Sequence, residues 1–243
     1  MGKQKLKPFF CYYGGKWRVS PKYPLPQFPA IIEPFAGAAG YSVRHYERRV
    51  TLTDTDPIIC GVWDYLIHAS ESEILALPDT ITHIDRVDAP QEAKWLIGFW
   101  LNKGVASPCK MPSRWMRDHA IEGTRLNTYW GPGVKKRISS QVDGIRHWKI
   151  LNQSYDACEN QKATWFIDPP YQGEAGQKYK HKFEDYLLLA KWCQERKGQV
   201  IVCEHKGADW LPFQNFATIK SLEGKHGKGV SQEMIWVQDE VNS

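Results

Sequence analysis

Asp168-Pro169-Pro170-Tyr171 follows the apolar run Thr164-Trp165-Phe166-Ile167. That run reads as a buried strand, so the four residues stand at a strand's carboxyl end, where open α/β sheets bind ligands. Together they suit one task, gripping a planar base by its amino group. Asp168 and the Pro169 carbonyl can accept the two amino hydrogens, and the Tyr171 ring can stack on the base. Proline fixes φ and carries no N–H, so the turn is stiff and its carbonyls are free to face a ligand. The plainer reading is a Pro-Pro turn in which Asp168 only ends the strand pairing.

Other segments weigh toward chemistry. Tyr12-Tyr13-Gly14-Gly15-Lys16 is a tight turn ending in a cation. Ala30-Ile31-Ile32 is a short strand, and Glu33-Pro34-Phe35-Ala36-Gly37-Ala38-Ala39-Gly40 follows it, with a helix starting near Tyr41. Strand, small-residue loop and helix make the layout of a cofactor loop, in which backbone approaches a ligand closely. Val50 to Thr53 reads as a second strand, ended by Asp54. A carboxylate there, about twenty residues past the loop, is placed to accept hydrogen bonds from a ribose diol. The loop is not GxGxxG, which disfavours a nicotinamide and favours another nucleoside cofactor. Pro57 suits the first turn of a helix running to about Ala69.

The elements that must position these residues alternate strand and helix except between about Asp85 and Lys149. Gln91 to Asn102 reads as a helix, and beyond it basic residues alternate with aromatics: Arg114, Trp115, Arg117, Arg125, Asn127, Trp130, Lys135, Lys136 and Arg137. From Arg86 to Lys149 there are 12 Lys+Arg against 5 Asp+Glu, while the remainder holds 20 against 22. The net charge of +5 thus resides in this middle third, as on a phosphate-tracking surface. Five of the eleven tryptophans fall in the same stretch, mixed with cations as stacking or wedging side chains are. Trp95 and Trp100, near helical spacing, read as the insertion's own small core, and Trp130, between Tyr129 and Gly131, reads as exposed. Downstream, Phe183 to Glu195 has a helical pattern and Gln199 to Cys203 is a buried strand. Ala217 to Leu222 and Ser231 to Val237 read as a hairpin with a basic tip.

At 243 residues the chain has room for one large domain or one core with an insertion. The six cysteines form no CxxC pair and no zinc-like spacing, so they read as reduced thiols of a cytoplasmic protein, with no metal indicated. The first residues, Met1 to Leu6, lack the apolar core of a secretory signal, and no apolar run is long enough for a membrane span. No obligate protein partner is indicated.

In order and spacing these motifs resemble the DNA adenine-N6 methyltransferases of the Dam type, the D12 class. That family is similar in its Tyr/Trp-x-Gly-Gly-Lys start, Phe-x-Gly-x-Gly loop, acidic residue after the next strand, target-recognition insertion and Asp-Pro-Pro-Tyr. Gln232-Glu233-Met234-Ile235-Trp236 looks like its last strand. The resemblance spans nearly the whole chain. It implies a Rossmann-like α/β methyltransferase fold with a mostly parallel sheet and a C-terminal antiparallel hairpin. The catalytic domain would be residues 1–85 and 150–243, and the partly helical recognition domain residues 86–149. It implies S-adenosylmethionine as methyl donor and double-stranded DNA as partner. Tyr12 and Lys16 would line the donor pocket, Glu33, Phe35 and Gly37 would flank the methionine part, Asp54 would hold the ribose, and Tyr155 would pack on the donor's adenine. Asp168, Pro169, Pro170 and Tyr171 would be catalytic, and Asp168 would also border the donor. Ala39 departs from the family's second Gly; an ordinary φ there would carry the loop slightly further from the donor. Arg125 to Gly131 only echoes the hairpin that reads GATC, so no target sequence is carried over.

The implied chemistry is alignment. An aspartate near its ordinary pKa of about 4 cannot deprotonate a neutral amine, but can orient it and take the proton released as the methyl arrives. A base inside a duplex must be flipped out to be reached. Cytosine-N4 methylation fits the same motif, though Ser-Pro-Pro-Tyr is more typical of it. RNA or protein amide-nitrogen methylation usually places Asn at the position of Asp168. A non-catalytic nucleic-acid-binding subunit of the same fold would not need Lys16, Asp54 and Asp168 together, and a nicotinamide oxidoreductase fits neither the loop nor the Pro-Pro motif.

Overall fold

The computed structural model describes residues 5–119, 129–173, 176, 183, 185–221 and 229–239. Seven strands among them form one sheet: β1 (Ala30–Glu33), β2 (Arg49–Asp54), β3 (Lys149–Asn152), β4 (Ala163–Ile167), β5 (Gly198–His205), β6 (Gln214–Ser221) and β7 (Gly229–Gln238). Their order is β3-β2-β1-β4-β5-β7-β6. Pairing is parallel from β3 to β5 and antiparallel where β7 meets β5 and β6. This is a Rossmann-like α/β fold, its sheet mostly parallel with a C-terminal antiparallel hairpin, as expected.

Burial of both faces explains the composition of the central strands. β1 and β4 are buried at every residue, as parallel strands covered on two sides are. Their side chains alternate between two apolar clusters. Ile31, Phe166 and Ile201 join one, and Ile32, Trp165, Ile167, Val200 and Val202 join the other.

Among the described residues the helices are α1 (Gly40–Arg44), α2 (Pro57–His68), α3 (Glu71–Ala76), α4 (Gln91–Trp100), α5 (Arg114–His119), α6 (Pro132–Ser139) and α7 (Tyr186–Gln194). α2 starts where the sequence says: Pro57 occupies its first position and the Asp56 carboxylate accepts from the Ile58 N–H at 2.9 Å. Ile59, Val62, Trp63, Leu66 and Ile67 give it one buried face. The C-terminal helix begins at Tyr186 rather than Phe183, because Asp185 caps it by accepting from Leu188 N–H.

The aromatic residues of the middle third pack differently from expectation. Trp95 and Trp100 do not make a small core of their own; both join the large cluster that holds Phe9, Phe10 and Trp63. Trp100 donates its indole N–H to the Phe9 carbonyl at 2.9 Å. Trp130 is 4% exposed rather than open to solvent, and its N–H bonds the Pro78 carbonyl at 2.8 Å. A buried tryptophan gains apolar burial while its N–H still finds an acceptor, and the acceptor here lies far off in sequence. No helix among the described residues is long and apolar enough to cross a membrane.

Candidate active site

The strand order reverses between β1 and β4, and the carboxyl ends of the parallel strands converge there. β1 ends at Glu33, β2 at Asp54, β3 at Asn152 and β4 at Ile167, one residue before Asp168. A cavity of about 190 Å³ lies at this point. Its lining includes all eight residues that the resemblance places around a donor: Tyr12, Lys16, Glu33, Phe35, Gly37, Asp54, Tyr155 and Asp168. Pro170 also lines it, whereas Pro169 and Tyr171 are not part of the lining.

Lys16 reaches the centre from a short 3-10 turn, Lys16–Arg18, that precedes β1. It is buried, and its Nζ lies 2.8 Å from Asp168 Oδ1. The same Nζ donates to the Gly14 carbonyl at 2.9 Å and sits 4.7 Å from the centroid of the Tyr171 ring. Burial pushes the Asp168 carboxyl up to about 6, and Lys16 holds it from rising further. This corrects the expectation of an ordinary value near 4. Glu33 is 2% exposed, and burial pushes it up to about 8 against the hydrogen bond it accepts from Ser42 N–H at 2.6 Å. Glu33 is therefore mostly protonated at neutral pH.

Asp54 is fixed by two backbone donors: Gly37 N–H bonds Oδ2 at 3.1 Å and Asp56 N–H bonds Oδ1 at 2.9 Å. The carboxylate thereby ties the small-residue loop to the end of β2. Trp63 adds a second tie, donating to the Gly37 carbonyl at 2.8 Å. Gly37 adopts a φ of +43°, and a Cβ there would stand 3.1 Å from the Tyr12 ring. A Cβ at Gly40 would stand 2.4 Å from the Trp17 backbone nitrogen, so this glycine lets α1 abut the segment that carries Lys16. Ala39 is the surprise. It takes the left-handed conformation, φ 46° and ψ 47°, that a glycine would supply freely. The expected ordinary φ and looser loop are not found; tertiary packing forces the alanine into the geometry of the missing glycine.

One wall is aromatic. Phe35 and Tyr155 stack at 5.5 Å with an interplanar angle of 23°, and Phe183 meets both edge-on. Phe183 was read only as the start of a helical pattern, so nothing in the sequence marked it as part of the site. Glu233 went unnoticed too. It is buried on β7 and accepts the Tyr171 hydroxyl at 2.7 Å. Its only sequence signal was an acid inside an otherwise pairing strand.

The residues expected to touch DNA are dispersed. Arg114 and Lys136 are exposed, and Arg117, also exposed, donates to the Pro112 carbonyl at 2.7 Å. The Arg137 guanidinium lies 4.9 Å from the Trp100 ring centroid, half-buried. Lys135 does not face solvent: its Nζ donates to the Leu77 carbonyl at 2.7 Å and pairs with Asp79 at 2.6 Å. Successive residues of α6 point about 100° apart, so Lys135 shares its side with Val134 and Ile138 while Lys136 turns outward. Buried Trp130 likewise offers no ring to a base. Arg125 and Asn127 lie outside the described residues.

No family model and no curated protein matches the chain. Among solved structures, a crystal structure of a Haemophilus influenzae protein named as a methylase aligns over 85% of this chain and 84% of that one, at 12% identity and a TM-score of 0.31.

Proposed function

We infer that this protein is a Dam-type DNA methyltransferase that moves a methyl group from S-adenosylmethionine to N6 of a flipped-out adenine. The observation that supports this most is the meeting, at one strand-order reversal, of Lys16, the Glu33–Gly37 loop, Asp54, Tyr155 and Asp168 around a single cavity.

The lining fits that donor. Among the described residues the lining carries Asp54, Asp56 and Asp168, with the neutral acid Glu33, against one lysine, Lys16, and this acidic excess suits a ligand bearing a sulfonium and an ammonium. The stacked Phe35–Tyr155 pair offers an aromatic wall to an adenine, and Asp54, at the carboxyl end of β2, brings a carboxylate acceptor to the side of the cavity where a ribose would lie. When bound, S-adenosylmethionine supplies a methyl on positive sulfur, whose S–C bond breaks as the N–C bond forms.

The chain's own residues do the rest. Asp168 and the Pro169 carbonyl accept the two amine hydrogens and aim the nitrogen's lone pair. As the nitrogen acquires positive charge, the Asp168 carboxylate takes one of its protons. Lys16 keeps Asp168 ionised in a site whose burial favours the neutral acid. Such placement supplies on the order of 7–11 kcal/mol of the barrier reduction. Tyr171 stacks on the extruded base, and the exposed cations Arg114, Arg117 and Lys136 follow the phosphates.

Incubating the protein with duplex DNA and donor, then identifying the modified nucleoside, tests this directly. N6-methyladenine in one sequence context is expected. N4-methylcytosine would move the assignment to the neighbouring class, and a protein that binds DNA but never the donor would be a non-catalytic subunit.

A further inference from the structure

We propose that Glu233 is a positioning residue of this site: from the C-terminal hairpin it holds the Tyr171 hydroxyl and so fixes the ring against which Lys16 presents itself to Asp168. The proposal rests on the methyltransferase reading above and adds to it a group from outside the parallel sheet.

Tyr171 follows β4, and Glu233 lies on β7, with β5 between those two strands. The tyrosine therefore reaches past the end of β5 to donate its hydroxyl proton to Glu233 Oε2 at 2.7 Å. Glu233 is 6% exposed, and burying a carboxylate is costly unless a donor answers it. An apolar pair at 171 and 233 would join the strands without that cost. The charge has a destination instead. The Lys16 ammonium sits 4.7 Å from the Tyr171 centroid and 2.8 Å from Asp168 Oδ1, and the His205 ring meets the Tyr171 ring edge-on at 5.7 Å. With its hydroxyl tied, Lys16 over its ring and the His205 ring packed against it at a steep angle, Tyr171 is held in a single orientation. Glu233, Tyr171, Lys16 and Asp168 thus form one continuous line from the hairpin to the reacting centre.

Glu233 also acts through its field. The groups that bear on Asp168 are Lys16 before β1, Glu33 on β1, Tyr171 on its own turn, Cys203 on β5, Tyr23 ahead of β1 and Glu233 on β7. Lys16 draws the Asp168 proton off, and Glu233 helps to retain it.

The test compares wild type, Asp168→Ala, Glu233→Met, Tyr171→Phe and the Glu233→Met/Tyr171→Phe double variant in methyl transfer from pH 5 to 9, with 13C titration of the Asp168 carboxyl alongside. Glu233→Met keeps the side chain's length and volume while removing both its charge and its carboxylate acceptor. It is expected to lower kcat about tenfold, the worth of one well-placed hydrogen bond, with donor KM unchanged. Tyr171→Phe should do the same, and the double variant should be no worse than either single one. The Asp168 midpoint should fall in Glu233→Met. A kcat within about twofold of wild type, or a stationary Asp168 midpoint, overturns the proposal. Failure of wild type itself to methylate DNA would instead overturn the functional reading, and the carboxyl titration, which needs no activity, would still decide the link between Glu233 and Asp168.

Discussion

The Lys16 ammonium lies 2.8 Å from Asp168 Oδ1, although 152 positions of sequence separate them and neither has a charged neighbour to explain it locally. One arrives from a Gly-Gly turn before the first strand and the other from the end of the fourth. Their contact makes the cavity an electrostatic unit rather than a gap between loops.

Asp168 must be ionised to receive a proton, and burial raises its pKa to about 6. The kcat/KM for transfer should therefore fall as pH drops through about 6, because the active form is the deprotonated one. A bound cationic donor should carry the limb in kcat to lower pH. Asp168→Asn should cost about 10²–10⁴-fold in kcat while leaving donor affinity within a few-fold. A pH profile flat from 5 to 8, or an active Asn variant, would remove Asp168 from proton transfer.

Glu33 titrates with a consequence for stability. Its folded pKa of about 8 stands above the ordinary 4.5, so the native state keeps a proton that the unfolded chain releases. The stability this provides is complete below about pH 4.5 and is lost as pH rises through about 8. Glu33→Gln should flatten this decline and make the variant more stable than wild type at pH 9, by an amount on the order of a few kcal/mol. Urea denaturation at several pH values measures it, and equal slopes in both proteins would mean that Glu33 is ionised.

Removing the Asp54 carboxylate should do two things at once. It releases the Gly37 and Asp56 N–H groups, at about 1–3 kcal/mol of stability, and it deprives a ribose of its acceptor. Asp54→Ala should weaken donor binding by at least about tenfold in calorimetry. Unchanged affinity would confine Asp54 to holding the loop.

Ala39→Gly should stabilise the protein. A non-glycine residue in the left-handed region costs about 1–2 kcal/mol, of which the flexibility of glycine in the unfolded chain returns about 0.4–1. A rise in Tm of roughly 1–4 °C is expected in calorimetry. A fall would show that the Ala39 methyl, 1% exposed, packs well enough to outweigh the strain.

Lys135 and Lys136 should separate cleanly. Lys135→Met leaves Asp79 and the Leu77 carbonyl without their donor, and should destabilise the fold by about 1–3 kcal/mol without changing the salt slope of DNA binding. Lys136→Ala should leave Tm nearly unchanged and reduce that slope by about 1. The reverse pattern would place the DNA on another face.

Much of this was written in local sequence. Strand after strand could be read because apolar runs end at Glu33, Asp54 and Asp168, and the start of α2 could be read because Asp56 and Pro57 carry a helix's opening chemistry. Those signals depend only on near neighbours, so they survive without a fold. What depends on a partner far along the chain did not. A cation in α6 is exposed or buried according to whether Asp79 waits beside it, and Trp130 is buried because the Pro78 carbonyl can accept its N–H. Ala39 gives no local hint of a left-handed φ; the surrounding turn imposes it. The sequence named the chemical groups. Tertiary structure alone decided which charges meet at 2.8 Å, which are held protonated by burial, and that an acid on the last strand reaches the turn after the fourth.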